Sequence, residues 1–241
     1  VAILVMGFTI AGASLSFGFL SNWTIVGAAW IGSGLILMLI LLISARIRDI
    51  MTILILGIMF GSAASAVVSI LQYFSNEAML KIFIIWTMGS LGNVTYSQMQ
   101  VLVPGIVAGL IIAFSLSKIL NALLLGENYA VSMGLNIKIA RILIFLSTSL
   151  LAGTITAFCG PIGFIGIAVP HLTRLFFKTS DHRILIPASM LIGSVILIFS
   201  DIVSQLPGYD ATIPINSVTA LLGIPVVIWI ILKNRKFSSL G

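Results

Sequence analysis

An all-helical, polytopic membrane protein is the fold this sequence predicts, on three observations. Of its 241 residues 60% are hydrophobic and only 7% charged, against roughly 25% charge in an average soluble domain. Apolar runs of about 20 residues, the length that crosses a bilayer as a helix, recur along the whole chain. The basic residues between those runs gather on one side when the runs are threaded alternately. So few charges could not cover a soluble core of this size, and disorder requires the opposite composition. Closed β-barrels would show short segments of alternating polarity, which these runs lack.

Eight runs qualify as spans: 1–20, 24–44, 50–73, 98–117, 139–158, 162–177, 184–203 and 213–232. The first opens on Val1 with neither a charged leader nor an initiator Met, as expected of a fragment that begins within a helix. The second closes at Arg46 and Arg48, and a short turn leads into the third. Between the third and fourth lies the longest outer segment, 75–97, whose apolar stretch Met79–Met88 is too short to span and predicts a half-helix or re-entrant piece. The fourth ends at Lys118, and a cytoplasmic segment, 121–136, leads to the fifth. Gly160 and Pro161 turn the chain into the sixth, and Pro170 removes a backbone donor near that helix's inner end. The seventh and eighth follow, the eighth stopping at Lys233, Arg235 and Lys236. The whole chain, 1–241, reads as one transmembrane domain.

Threading these spans places Arg46, Arg48, Lys118, Lys138, Arg141, Arg174, Lys178, Arg183, Lys233, Arg235 and Lys236 on one face and only Lys81 on the other. By the positive-inside rule that face, with the C-terminus, is cytoplasmic. The formal charge of +6 is thus topological, and no nucleic-acid partner is expected.

Several chemistries are absent from the sequence. Ionisable groups at mid-span mark ion and proton paths, and here there is essentially none. Asp201, beside Ser200 and Ser204, reads as an interfacial or helix-pairing aspartate near an outer helix end. A secondary, ion-coupled transporter is the alternative function, but it would want an intramembrane acid or lysine with a partner. No GxxxxGK[ST] phosphate loop and no HExxH pair occurs. His171 and His182 lie eleven apart without acids or cysteines at ligand spacing, so no metal site is expected. The single Cys159 allows no intrachain disulfide and reads as a small packing residue. With no nucleophile–base pair at useful spacing, the chain does not read as an enzyme.

Two patterns invite function. Gly57, Gly61, Ser65 and Ser69 recur every four residues on one face of the third span. Such a stripe serves either close helix packing or a polar-tolerant pathway wall at a subunit seam. The segment 121–136 is amphipathic, with Gly126 and Gly134 as breaks, and predicts two short helices meeting at a glycine. It would lie on lipid or dock a partner.

The stretch Gly160-Pro-Ile-Gly-Phe-Ile-Gly-Ile-Ala-Val-Pro-His-Leu-Thr-Arg174 resembles the signature of permeases that import iron–siderophores, haem and vitamin B12, the type II ATP-binding-cassette importers. Its marker residues here are Gly160, Phe164, Gly166, Pro170, His171 and Arg174. Further matches stand in the same order as in that family. Trp86, Met88, Gly89 and Ser90 come first, then Leu125-Gly126, Ala130 and Met133-Gly134. Asp181-His182-Arg183, Asp201 and Ile213-Pro214 through Pro225 follow. Asn216 departs from the family's usual glycine, and Gln205 stands where some relatives carry arginine.

The resemblance implies a permease of roughly ten helices, of which about the first two are missing here, working in a prokaryotic inner membrane. It implies a homodimer with the pathway between two copies, an extracytoplasmic binding protein that delivers a metal chelate, and separate cytoplasmic subunits that bind ATP and Mg. This chain itself would bind no cofactor. Residue by residue, it implies a cytoplasmic gate at Asp49, Ile50, Met51 and Thr52, and coupling to the ATPase through Leu125, Gly126, Glu127, Ala130, Met133, Gly134 and Leu135. Gln205 and Asp210 would meet the binding protein. The glycine and serine stripe would line the pathway.

Overall fold

The computed structural model describes residues 18–44, 50–205 and 213–238, within which the chain forms ten helices and no strand. They are α1 (Gly18–Ser44), α2 (Ile50–Tyr73), α3 (Glu77–Met88), α4 (Tyr96–Ser115), α5 (Ser117–Leu124), α6 (Glu127–Ser132), α7 (Ile137–Cys159), α8 (Ile165–Phe177), α9 (His182–Ser204) and α10 (Ile215–Ser238). Five are long and apolar enough to cross a bilayer: Trp23–Ile40 of α1, Ile55–Tyr73 of α2, and the whole of α4, α7 and α9. The span expected over 162–177 is the shorter helix α8, and the described apolar part of α10 is Ile215–Pro225. The expected first span and the basic residues Arg46 and Arg48 lie outside the described residues, apart from the first turn of α1.

Burial is arranged for a lipid solvent. The fully buried side chains are mostly small or hydroxylated, among them Thr154, Thr173, Ser200 and Thr219. Large apolar side chains point outward instead: Ile58 is 71% exposed and Leu191 69%. Lipid tails are as apolar as leucine, so burying leucine drives little association, whereas small residues let backbones approach and van der Waals contact accumulate. Two of these buried hydroxyls show how they are satisfied, each bonding within its own helix. Thr173 donates to the Val169 carbonyl and Ser200 to that of Ile196, each one turn back.

The chain divides into two compact units. The first draws on α1 to α3, α4 as far as Leu110, and α7 from Phe145 to Phe158. Its seam is made of α1, α4 and α7. A Cβ on Gly105 would stand 2.8 Å from Thr154 Oγ1, and one on Gly109 2.6 Å from Leu151 Cγ. Gly105 and Gly109 form a GxxxG pair, and α7 lies in the groove they leave. Ser147 donates to the Gly109 carbonyl at 2.9 Å. From α1, Trp30 Nε1 donates to the same Thr154 Oγ1 at 3.0 Å and the hydroxyls of Ser33 and Ser149 meet at 2.5 Å.

The short outer segment forms α3 as expected. Asn76 caps it, its Oδ1 accepting from the Met79 amide at 2.9 Å. At its far end Trp86 Nε1 donates to the carbonyls of Thr156 and Ala157, at 3.1 and 3.3 Å. These belong to the last turn of α7, where no intrahelical donor remains.

The second unit comprises 88–93, 111–144 and the chain from Cys159 onward. Within it α9 packs on α5, α8 and α10, and α8 packs on α10. Within this unit Ser90 donates its amide to the Cys159 carbonyl at 2.9 Å.

The α4–α7 groove makes a contrast with α2 testable. Gly109→Ala, which overpacks the seam, is expected to lower unfolding stability in detergent by about 1–3 kcal/mol. Gly57→Ala, where no described atom lies within 4 Å of the added Cβ, should not lower it; thermal unfolding of the two variants checks the difference.

Candidate functional site

Three places in the fold collect the residues singled out above. The first is the pair α5 and α6. Gly126 joins them at φ +103°, and Gly134 ends α6 at φ +84°. Both lie in a region that L side chains rarely adopt, so the glycines are required by the backbone. The end of α6 is a Schellman motif: Leu135 N donates to the Ala130 carbonyl and Gly134 N to that of Val131. The predicted two short helices are therefore present, with the break where expected.

The pair is held from both sides. Glu127 of α6 meets Arg141 of α7 at 2.5 Å. Asn121 of α5 reaches the turn before α9, where its Nδ2 donates to Asp181 Oδ1 at 2.5 Å. Its Oδ1 accepts from the His182 amide at 2.8 Å and faces His182 Nδ1 at the same distance. Asp181 is also the N-cap of α9, accepting from the Arg183 amide at 2.9 Å. That bond, followed by the one from Asn121, holds the Asp181 carboxyl below the usual carboxylate range, so it is ionised at neutral pH. On the outer side of the pair Leu125, Tyr129, Val131 and Met133 are exposed. Ala130 is fully buried. Of the seven residues expected to couple to an ATPase, it presents no surface to a partner, and its small size lets α6 sit close to its neighbours.

The second place is the turn from Gly160 to Phe164, ahead of α8. Phe164 has φ 62° and ψ −44°, and Ile165 N donates to the Gly163 carbonyl at 2.7 Å. This is a γ-turn of the rare, positive-φ hand, which costs a bulky residue about 1–3 kcal/mol. Asn216 holds it: its Oδ1 accepts from the Gly163 amide at 3.0 Å and its Nδ2 donates to the Pro161 carbonyl at 2.5 Å. Gly223 of α10 lets Phe164 approach, since a Cβ there would meet that of Phe164 at 3.0 Å. The departure from the family's glycine at Asn216 is thus a side chain with defined partners.

Downstream in α8, Pro170 and Gly166 are exposed, and His171 Nδ1 lies 2.9 Å from the Ile167 carbonyl one turn back. Arg174 is exposed in the last turn. Beneath the turn, α8, α9 and α10 wall an apolar cavity of about 310 Å³, lined by Val169, Leu172, Ile196, Phe199 and Leu222 among others. Among the described residues no cluster of three or more His, Cys, Asp or Glu could hold a metal ion.

The third place is α2. Gly57, Gly61, Ser65 and Ser69 are all exposed, and no described atom stands within 4 Å of where Gly57 or Gly61 would carry a Cβ. The two glycines do not pack against the described parts of their own chain. Met51 is 69% exposed and Thr52 half-buried at the start of α2. Ile50 opens the helix, while Asp49 lies outside the described residues, as does Asp210. Gln205 is exposed and gives its side-chain amide to Asp201 at 2.7 Å. Just before it, Ser204 bonds the Ile213 carbonyl through its hydroxyl, and its own carbonyl accepts the Ile213 amide at 2.8 Å, so the ends of the intervening segment are tied together.

The α4 glycines are legible in the sequence as a GxxxG pair. The joining of Asn121 to Asp181 and of Asn216 to the 161–163 backbone has no local signal, because the partners lie 60 and 53–55 residues apart.

Comparison with known proteins bears on the whole chain. The FecCD transport family profile matches residues 1–233. The vitamin B12 import system permease protein BtuC of Salmonella typhi is 38% identical over 229 residues, covering 94% of this chain and 69% of that protein. BtuC of Salmonella newport SL254 is similar to the same extent. A solved structure described as an inward-facing conformation of a metal-chelate type ABC transporter aligns with a TM-score of 0.79 and 29% identity, covering 96% of this chain and 71% of that one.

The Asn216 clamp yields an expectation. Replacing it with leucine, similar in size but without the amide, should speed hydrogen exchange at Gly163 about fivefold, in keeping with roughly 1 kcal/mol for a net hydrogen bond. Exchange measured by mass spectrometry on peptides spanning 160–166 checks it.

Proposed function

The chain belongs to the FecCD transport family, and from that premise we propose that it imports a metal chelate of the cobalamin or iron–siderophore kind by alternating access. It is a membrane-spanning permease subunit of an ATP-binding-cassette importer, and ATP hydrolysis falls to a separate ATPase. The similarity to vitamin B12 permeases supports the corrinoid end of the cargo range.

The observation that carries the mechanism is the α5–α6 pair. Two short helices, bent at an obligatory glycine and tied to α7 and α9, offer Leu125, Tyr129, Val131 and Met133 outward. A patch of this sort on a cytoplasmic turn fits a groove on a partner subunit, with buried anchors and a polar rim. In this reading ATP and Mg sit on that partner, and its closure pushes on α5–α6. The exposed face of α2, with its open glycines, would meet a second copy, so that the Gly57, Gly61, Ser65 and Ser69 stripe forms one wall of a pathway along the two-fold axis. Hydrogens and hydroxyls on such a wall let a bulky chelate pass without gripping it. Met51 and Thr52 stand at the inner end of the same helix, where they would close the route. The extracytoplasmic binding protein would dock near Gln205 and Asp210. The one-sided basic residues support a C-terminus in the cytoplasm of a prokaryotic cell.

Proteoliposomes containing the chain, its ATPase and its binding protein should take up cyanocobalamin or a ferric siderophore only with internal ATP. Gly134→Val, which forces a β-branched residue into positive φ, should cut uptake at least tenfold per ATP hydrolysed while the protein still inserts. Uptake driven by a proton or sodium gradient without ATP would contradict the reading.

A further inference from the structure

The polar joint between α5 and α9 is fixed atom by atom by its own hydrogen-bond chemistry. Asp181 is ionised, so its carboxylate only accepts, and the Asn121 atom facing it at 2.5 Å must be the amide nitrogen. The His182 backbone amide only donates, so the Asn121 atom facing it at 2.8 Å must be the oxygen. The side chain therefore has one possible orientation. The same oxygen lies 2.8 Å from His182 Nδ1, and an amide oxygen cannot donate. His182 Nδ1 therefore carries the hydrogen. Asp181 Oδ1 additionally caps α9 through the Arg183 amide, and the Asp181 amide donates to Thr179 Oγ1 at 3.1 Å. One asparagine in the middle of α5 is thereby bonded to the first turn of α9 through a carboxylate, a backbone amide and an imidazole.

The position of this joint gives it a consequence. α5 precedes the outward-facing α6 by a single glycine-hinged turn. Its residues Ser117 and Ala122 are buried. α9 has 23 residues, about 34 Å at 1.5 Å per residue, which matches the bilayer. At its other end Ser204 is bonded to Ile213, two residues before α10 begins with Ile215 and Asn216. Asn216 in turn clamps the strained turn at Phe164. A displacement applied to α5 thus meets a stiff rod attached through hydrogen bonds at both ends. The other polar tie of the pair, Glu127 to Arg141, is exposed and of the kind worth little in water.

We propose that Asn121 is a positioning residue for transport, the joint through which movement of the α5–α6 pair is passed to α9 and along it to the 160–164 turn. The proposal rests on the coupling role given above to α5–α6. A carboxylate at position 121 would repel Asp181 and remove the donor that bonds to it. Swapping the two residues restores a donor facing an acceptor between positions 121 and 181. Because Asp181 Oδ1 accepts both from Asn121 and from the Arg183 amide in the wild type, an asparagine at 181 divides these two bonds between its amide nitrogen and its oxygen. The carboxylate now on α5 would accept from the His182 amide, from its Nδ1–H and from an asparagine amide at position 181, and asparagine is a good N-cap.

The test compares wild type, the single variant Asn121→Asp, and the swap that combines Asn121→Asp with Asp181→Asn. In the isolated chain, hydrogen exchange over 182–186 should quicken at least tenfold in the single variant and return to within twofold of wild type in the swap. In the reconstituted complex, the ATP consumed per cyanocobalamin taken up should rise at least tenfold in the single variant and recover in the swap. Unaltered hydrogen exchange in the single variant overturns the joint itself. Restored hydrogen exchange with an unrestored ATP-to-cargo ratio would show the joint to be structural only, which also overturns the proposal. Absence of any ATP-driven uptake by the wild type would instead sink the transport reading, while the hydrogen-exchange measurement still decides whether the joint exists.

Discussion

Hydrocarbon offers no hydrogen bonds, so every helix end and every turn of this chain that meets it has to be closed by the protein. That requirement explains more of the fold than apolar packing does. The last carbonyls of α7 receive the Trp86 indole and the Ser90 amide. The amide and carbonyl left open in the turn before α8 are both taken by Asn216. Outside the apolar spans the same device recurs, with Asp181 capping the first turn of α9 and itself held by Asn121. Among the described residues no buried side-chain nitrogen or oxygen lacks a partner. Residues that in isolation look like unrelated family markers are thus the donors and acceptors that short and broken helices need.

The same constraint separates rigid from movable parts. Seams built on glycine and hydroxyl, as between α4 and α7, leave no room even for a methyl group and hold through close contact. The bend at Gly126 and the end of α6 at Gly134 have nothing within 4 Å of an added Cβ. They are conformational requirements and not packing ones. The proposed coupling draws on this division, with close-packed seams as the frame and the glycine-bounded pair as the element on which a partner acts.

Much of this is readable from residues alone, for reasons of scale. Spans of some 20 apolar residues are a strong signal because bilayer thickness sets them, and α2, α4, α7 and α9 lie within a few residues of the predicted runs. The half-helix α3 and the paired α5 and α6 follow from length and from glycine. What escapes are features made by partners distant in sequence. The short polar contacts of Asn121, Asp181 and Asn216 depend on how separate helices fold back on one another. Burial of Ala130 depends on the approach of α6 to its neighbours, which no period of hydrophobicity encodes. The α2 stripe shows the converse case. Its spacing is plain in the sequence, and the fold leaves it exposed, where a second copy or a cargo can be in contact with it.

That α5–α6 is the surface on which a separate ATPase acts is tested most directly by hydrogen–deuterium exchange of the chain with and without its ATPase subunit. Strong protection over 124–134 on assembly is expected, with 160–166 changing only when nucleotide is added. Protection confined to other segments, with 124–134 exchanging as in the isolated chain, would contradict it.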